Sequence, residues 1–292
     1  MTMLVAGLID VFADRALTGN PLAVVEGGDA LPDETLRRIA GELNQAETTF
    51  VMTSARADRK LRSFTASGAE VFGAGHNALG AWLWLGAHGS LGVLDAPRTF
   101  QQQIGADVLP IMLEARDGRI HGRMRQSPLV LSSALREVAG LLAALALTAD
   151  DLIVEPPPRV ASTGAGHLLV RVRDREAVDR ARPAADRLLA VLRAAGAEGC
   201  YVYALDEGTP RTAYARFFNP TVGLWEDAAT GTAAGPLCAY LGAAGLLAPD
   251  QTLVVEQGTR MGRRSLLHVR LTPDPELSGS GVVVLRGWLD LR

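Results

Sequence analysis

Short apolar runs open the chain, give way to a helical period, and return in the same order in its second half. Leu4 to Phe12 is apolar enough to be a buried strand, and a Thr18-Gly19-Asn20-Pro21 turn leads into a second strand from Leu22 to Glu26. Asp33 is expected to cap a helix over Glu34 to Leu43, because Leu36, Ile39 and Leu43 fall on one face. After Gln45-Ala46-Glu47 come a strand from Thr48 to Thr53, a charged hairpin, and a strand from Leu61 to Thr65. The turn Gly73-Ala74-Gly75 then leads into an apolar helix through Ala87, and further strands follow to about Arg125.

In the second half, Ser162-Thr163-Gly164 precedes an apolar strand from His167 to about Val172. A helix is expected from about Pro183 to Ala195, carrying Leu188, Leu189, Val191 and Leu192. Strands Cys200 to Leu205 and Tyr214 to Phe218 lead to a second turn and helix, Ala229-Thr230-Gly231-Thr232-Ala233-Ala234-Gly235-Pro236-Leu237. The segment Ser127 to Pro158, with its run Glu155-Pro156-Pro157-Pro158, reads as the crossing between the halves. The order of elements repeats although the letters do not. It predicts a duplicated α+β unit with a site between the copies.

The two glycine turns are the most informative feature. A helix start carries unpaired N–H groups and about half a positive charge, so it attracts carboxylates. Two such starts in one chain suggest halves that grip one anion.

Composition narrows the function. With 292 residues, 48% hydrophobic and 21% charged, the chain has the length for two domains and the balance of a soluble globular protein. Its net charge of −3 gives no reason to expect nucleic acid. The arginines from Arg171 to Arg182 are interleaved with Asp and Glu, so a solvated surface is expected there. Met1 to Asp10 lacks a basic leader and cleavage site, and the apolar helix ending at Ala87 is too short and too Gly-interrupted to span a bilayer. Cys200 and Cys238 have neither disulfide nor metal spacing. A cytoplasmic protein without a membrane segment is expected.

Three polar residues are candidates for chemistry. Glu47 sits where a helix ends and a strand begins, a place where partial desolvation would raise a carboxyl pKa toward the range of a useful proton carrier. An exposed helix-end Glu would look the same locally. His76 follows Gly75 at a helix start, where it could donate to a substrate, exchange a proton with it, or cap the helix. Asp227 precedes the second turn as part of Trp225-Glu226-Asp227, either as a dipole partner or as one wall of a polar site with Thr230-Gly231-Thr232. Thr232 could donate to a carboxylate or cap the helix.

Other chemistries find no support. Gly73-x-Gly75 lacks the rest of a dinucleotide fingerprint, and neither GxxxxGK[ST] nor GxSxG occurs. The histidines have no metal-ligand spacing, so no metal and no cofactor are expected.

Six segments together resemble the PhzF (phenazine-biosynthesis) family, which is related in fold to diaminopimelate epimerase. They are Asp10-Val11-Phe12-Ala13 with Gly19-Asn20-Pro21-Leu22-Ala23-Val24-Val25, Asn44-Gln45-Ala46-Glu47-Thr48-Thr49-Phe50-Val51, and Ala74-Gly75-His76. Ser162-Thr163-Gly164, Glu226-Asp227-Ala228-Ala229-Thr230-Gly231-Thr232-Ala233 and Gln257-Gly258-x-x-Met261-Gly262-Arg263 complete the set. The resemblance implies an α+β fold of two pseudo-symmetric epimerase-like domains, each a curved, mostly antiparallel sheet around a central helix. The domains are expected at 1–126 and 127–279, with a last strand at about 280–292 returning to the first. Members are usually cofactor-independent isomerases and often homodimers, so a homodimer is expected.

By the same resemblance Glu47 is the catalytic acid/base, with His76 and Asp227 as polar partners in the pocket. Gly231 and Thr232 match the carboxylate-binding turn, and Gly75, Asn77 and Thr230 complete the expected substrate-binding positions. The related epimerases use a cysteine in each half. Neither turn holds a thiol here, and Cys200 and Cys238 look like core residues. The family's frequent Asp-Pro-Ala-Thr-Gly-Ser becomes Asp227-Ala228-Ala229-Thr230-Gly231-Thr232 here, Asn77 replaces a common Pro, and Arg264 replaces another. These departures leave the reaction type intact and the substrate open.

The function expected is movement of a proton and a double bond in a small unsaturated amino or hydroxy carboxylic acid, in secondary metabolism. A single-centre epimerase or racemase and a non-catalytic carboxylate-binding protein are the alternatives.

Overall fold

The computed structural model describes residues 2–206, 209–222 and 224–291. They fall into two compact units, Met1–Met124 with Ser278–Arg292, and Arg125–Leu277.

The first unit starts with β1 (Thr2–Val11), antiparallel to β2 (Asn20–Glu26). Helix α1 (Asp33–Leu43) carries the chain over to β3 (Glu47–Met52), which lies parallel to β2. Parallel neighbours need such a crossover because a tight hairpin cannot join them. Strands β4 (Arg59–Thr65) and β5 (Glu70–Val71) return antiparallel. Helix α2 (His76–Ala87) precedes β6 (Arg98–Ile104), which runs parallel to β4. Strands β7 (Asp107–Arg116) and β8 (Arg119–Arg125) then follow as antiparallel neighbours.

The second unit opens with β9 (Val130–Ala134) and α3 (Ala139–Leu145). Strand β10 (Arg159–Ser162) pairs antiparallel with β9 and with β11 (Gly166–Arg171). After α4 (Arg175–Arg180) and α5 (Ala185–Ala195), β12 (Gly199–Asp206) lies parallel to β11. Strands β13 (Thr209–Asn219) and β14 (Leu224–Asp227) are antiparallel. Helix α6 (Gly231–Ala243) crosses to β15 (Thr252–Gln257), parallel to β13, and β16 (Ser265–Leu271) folds back on it. A long final strand, β17 (Pro275–Leu291), pairs antiparallel with β1 over Gly281 to Leu291. From β10 to β16 the second unit follows the order of pairings of β1 to β7, and β9 is added beside β10.

Helices α2 and α6 have apolar side chains all round and are buried along most of their length, the signature of a central rather than a surface helix. In the first unit α2 packs on β1, β2, β3 and β7. Gly80 permits this approach, since a Cβ there would lie 2.6 Å from both Leu22 and Val11. The opposite face is covered by α1, with Leu36, Ile39 and Ala40 against Val25, Phe50 and Phe64. In the second unit α6 packs on β10, β11 and β16. The other face holds Leu168, Val170, Cys200 and Val202 under Leu141, Leu145, Leu188 and Leu192 from α3 and α5.

Some local expectations change. Asp33 does not cap α1: Pro32 holds that position and makes no side-chain cap bond, while the Asp33 carboxylate accepts from Arg62 at 2.7 Å. Residues 127–158 are more than a crossing, because β9 joins the sheet and α3 enters the core. Within the Arg171–Arg182 stretch Arg173 pairs with the interleaved Asp174, while Arg175 and Arg180 pair with Asp206 and Asp151 from outside it and Arg171 has no carboxylate partner among the described residues. Among the described residues no helix is long and apolar enough to cross a membrane.

Candidate active site

Two polar clusters form, each at the start of a central helix. In the first unit α1 ends in a left-handed residue, Asn44 (φ 49°, ψ 41°), and Glu47 opens β3 three residues later. His76 opens α2 after Gly75. The chain thus brings two residues 29 positions apart to within 3.9 Å, His76 Nδ1 to Glu47 Oε2. That separation is beyond a direct hydrogen bond but within the range where a carboxylate and a charged imidazole attract. The Glu47 side chain keeps 19% of its surface exposed and His76 9%. His76 makes no capping bond, and its buried Nε2 has no partner among the described residues. One ring nitrogen therefore faces the carboxylate, while the other is turned away from it.

Asn77 shapes this turn. Its Oδ1 accepts from the Gly75 amide at 2.8 Å, and its Nδ2 donates to the Gly73 carbonyl at 2.9 Å and to Ser63 Oγ at 3.1 Å. Thr49 and Ser63 hydroxyls meet at 2.9 Å below it. The side chain offered to substrate from sequence is thus engaged with the turn itself. The first α2 amide with a backbone acceptor is Leu79, bonded to Gly75, so among the described residues those of His76, Asn77 and Ala78 are orphan donors of the helix start.

In the second unit Asp227 ends β14 and Thr230 precedes α6. The Thr230 hydroxyl donates to Asp227 Oδ2 at 2.5 Å. Gln257, fully buried at the end of β15, ties the turn together. Its Nε2 donates to the Asp227 carbonyl at 2.8 Å and to Thr230 Oγ1 at 3.0 Å. Its Oε1 accepts from the Thr230 amide at 3.2 Å and from Tyr201 Oη at 2.8 Å. Every donor and acceptor of this amide is used, which makes a buried polar network rigid rather than costly. Burial, with the Asp227 charge adding to it, pushes the Tyr201 hydroxyl well above its usual pKa, so it stays a donor.

Thr232 does not cap α6. Its hydroxyl meets His167 Nε2 at 3.1 Å, and burial pushes that imidazole down to about 4. Gln126 lies across the same turn, with its Nε2 donating to the Gly231 carbonyl at 2.9 Å and its Oε1 accepting from the Thr163 hydroxyl at 2.6 Å. The amides of Gly231 and Thr232 meet no acceptor among the described residues. Both cysteines are buried and free, with burial pushing each thiol up to about 12, which leaves them inert as acids.

Sequence reasoning assigned no role to Gln257, His167, Gln126, Ser63 or Tyr201. Period-two alternation carried a signal for Gln257: it shares the inward face of β15 with Leu253 and Val255, where an amide has to find partners.

Comparison with known proteins agrees with this architecture. A family model for phenazine biosynthesis-like proteins matches residues 9–287. The trans-2,3-dihydro-3-hydroxyanthranilate isomerase of Pseudomonas fluorescens is 32% identical over 292 residues, covering 97% of this chain and 98% of that one. The crystal structure of a Bacillus anthracis phenazine biosynthesis protein of the PhzF family superposes with a TM-score of 0.90 at 26% identity, over the whole of both chains. A hydroxyproline epimerase from Agrobacterium vitis shares the fold more distantly, with a TM-score of 0.67 at 12% identity over 99% of this chain and 91% of that one. Fold and relatives define an enzyme of the isomerase class. Within that class, the chain belongs to the phenazine biosynthesis-like, or PhzF, family.

Proposed function

We propose that the protein is a cofactor-independent isomerase that shifts a proton, and with it a double bond, in a small unsaturated amino or hydroxy carboxylic acid. The observation that carries this reading is the half-buried Glu47 carboxylate at the mouth of β3, 3.9 Å from the imidazole that opens α2. Glu47 as carboxylate takes a proton from an acidic C–H, the electron pair spreads over the conjugated system, and the protonated Glu47, after exchange with solvent, returns a proton at another carbon. The bond order moves and nothing else is consumed. General acid–base catalysis of this kind contributes about 10²–10⁴-fold.

Each helix start offers orphan amides that suit a carboxylate, those of His76, Asn77 and Ala78 in the first unit and those of Gly231 and Thr232 in the second. Fixed donors aimed at developing negative charge are worth several kcal/mol where water is excluded. His76 orients the substrate beside Glu47 through Nε2; in the second unit Asp227, held by Thr230 and Gln257, offers the polarity suited to an amino or hydroxy group. The named relative acts on a dihydro-hydroxyanthranilate, which is a small unsaturated amino acid. The departures at Ala228, Asn77 and Arg264 argue against carrying that one compound over as the substrate.

The test is solvent deuterium incorporation, followed by NMR, into small unsaturated amino and hydroxy acids, with trans-2,3-dihydro-3-hydroxyanthranilate as the first probe. Glu47→Gln is expected to abolish incorporation and leave binding nearly unchanged. Exchange that survives in the variant removes Glu47 from the mechanism. Inverted configuration at a single carbon of the product would mean epimerisation, and binding without exchange would mean a non-catalytic role.

A further inference from the structure

At the C-terminal end of α6, far from the glycine turn, the second unit carries an open cavity of about 340 Å³. Leu131, Pro156 and Leu246 line it with Glu155, Arg159 and Tyr240. From Thr232 to Tyr240 the helix rises about 12 Å, so the cavity is separate from the turn.

The sheet beneath that end of α6 is unusual. Val160, Leu168, Val170, Cys200 and Val202 point to the α3/α5 core, so by the two-residue period Arg159, Arg171 and Tyr203 point to the α6 side. Tyr203 is the register partner of Arg171, and Arg159 sits opposite Leu169, two residues from Arg171. Arginines are rarely turned inward without an acid, because the charge then loses water and gains nothing. Among the described residues neither Arg159 nor Arg171 has a carboxylate partner. The Arg159 guanidinium instead lies 5.6 Å from the Tyr240 ring centroid, and Arg171 Nη1 donates to the Glu155 carbonyl at 2.7 Å.

Three buried polar atoms of this group lack any partner among the described residues: Arg159 Nε, Arg171 Nε and Tyr203 Oη. A guanidinium N–H can only donate, and burial raises the Tyr203 hydroxyl to keep its proton as well. Orphaned donors on one sheet face, beside a cavity with an aromatic and aliphatic wall, call for an acceptor that carries negative charge. Tyr240 is itself fixed, its hydroxyl bonded to the Pro157 carbonyl at 2.7 Å, which holds its ring under Arg159.

We propose that this cavity is a second binding site, specific for a small ligand with a carboxylate or phosphate group on a compact apolar body. Arg159 takes the oxyanion, Arg171, behind the wall on the same sheet face, adds positive charge, and the Tyr240 ring packs against the body. Glu155 at the rim selects against ligands carrying further negative charge.

The test uses the full chain labelled with 3-fluorotyrosine. Its four tyrosines give few resonances, and Tyr240→Phe assigns the one that matters. Benzoate is titrated as the carboxylate probe and inorganic phosphate as the phosphate probe, with benzamide as the neutral isostere. The expected result is a saturable shift of the Tyr240 resonance with benzoate, with phosphate, or with both, and none with benzamide. The shift persists in Glu47→Gln and weakens about tenfold or more in Arg159→Met, the loss expected for a charge-assisted hydrogen bond. Arg159→Lys keeps the charge and is expected to recover part of the affinity. If Arg159→Met fails to fold, the benzoate–benzamide contrast on the unaltered chain decides alone. No saturable shift with either anion, an equal response to benzamide, or undiminished affinity in a folded Arg159→Met overturns the proposal.

Discussion

Nε2 of His167 and the hydroxyl of Thr232 lie 3.1 Å apart, joining the inward face of β11 to the second residue of α6. The imidazole is 3% exposed and its Nδ1 has no partner among the described residues, so protonation would strand a buried charge. Burial holds its pKa at about 4, against 6.5 for an open imidazole. Between these values the unfolded chain binds the proton and the folded chain does not, so stability rises with pH across that window. The contribution is whole above about pH 6.5, and about 3 kcal/mol is lost as pH falls to about 4. His167→Gln can still reach the hydroxyl but cannot titrate. Urea unfolding from pH 7.5 to 4 is expected to show a shallower decline for the variant, and parallel declines would show that His167 does not titrate in this way.

Gln257 gives a second prediction. Gln257→Leu preserves size but strands the Tyr201 hydroxyl and the Thr230 amide, both of them buried. A stability loss of at least about 3 kcal/mol is expected in chemical denaturation. Tyr201→Phe removes one donor and leaves Oε1 its bond from Thr230, so about 1 kcal/mol is expected there. Equal losses from the two substitutions would mean that the amide does not organise the turn.

Most of the fold was legible because periodicity reports what a chain must bury. The apolar surround of α2 and α6, and the repeat of a strand pair before each, follow from residues near in sequence. Asp33 was misread because a carboxylate at a helix start is chosen between two partners, and Arg62 comes from a strand 29 residues away. Glu47 and His76 were legible as candidates from their places at element boundaries and from family resemblance. Their 3.9 Å approach was not, since it is set by how β3 and α2 pack. Gln257, His167 and Arg171 share the reason they were passed over. Each is a polar residue on an inward strand face whose partner comes from another element, and alternation with apolar neighbours can mark that face but not the partner.

The buried pair of Arg216 and Glu226 supplies a third prediction. Nε and Nη2 of Arg216 each donate to Glu226 at 2.8 Å, while Nη1 donates to the Ala181 carbonyl at 2.8 Å. Both side chains are about one-tenth exposed, and Glu226 immediately precedes Asp227. Removing one partner leaves the other charge buried, so Glu226→Ala is expected to cost about 3–5 kcal/mol. The double substitution Arg216→Met with Glu226→Leu is expected to cost less than the sum of the two single changes. A denaturation cycle that sums without coupling would show the pair to be energetically independent.

His76 separates positioning from proton transfer. Its Nδ1 faces Glu47 at 3.9 Å, and its Nε2 is buried without a protein partner among the described residues. If Nε2 orients the substrate while Glu47 carries the proton, His76→Asn removes one hydrogen bond to ligand and leaves the base in place. A loss of about 10- to 100-fold in kcat/KM is expected, the scale of a hydrogen bond to a charged or polar ligand group. Deuterium exchange should remain measurable in His76→Asn and vanish in Glu47→Gln. The reverse pattern, with exchange lost in the histidine variant and kept in the glutamine one, would transfer the proton-carrying role to the imidazole and leave Glu47 as its partner.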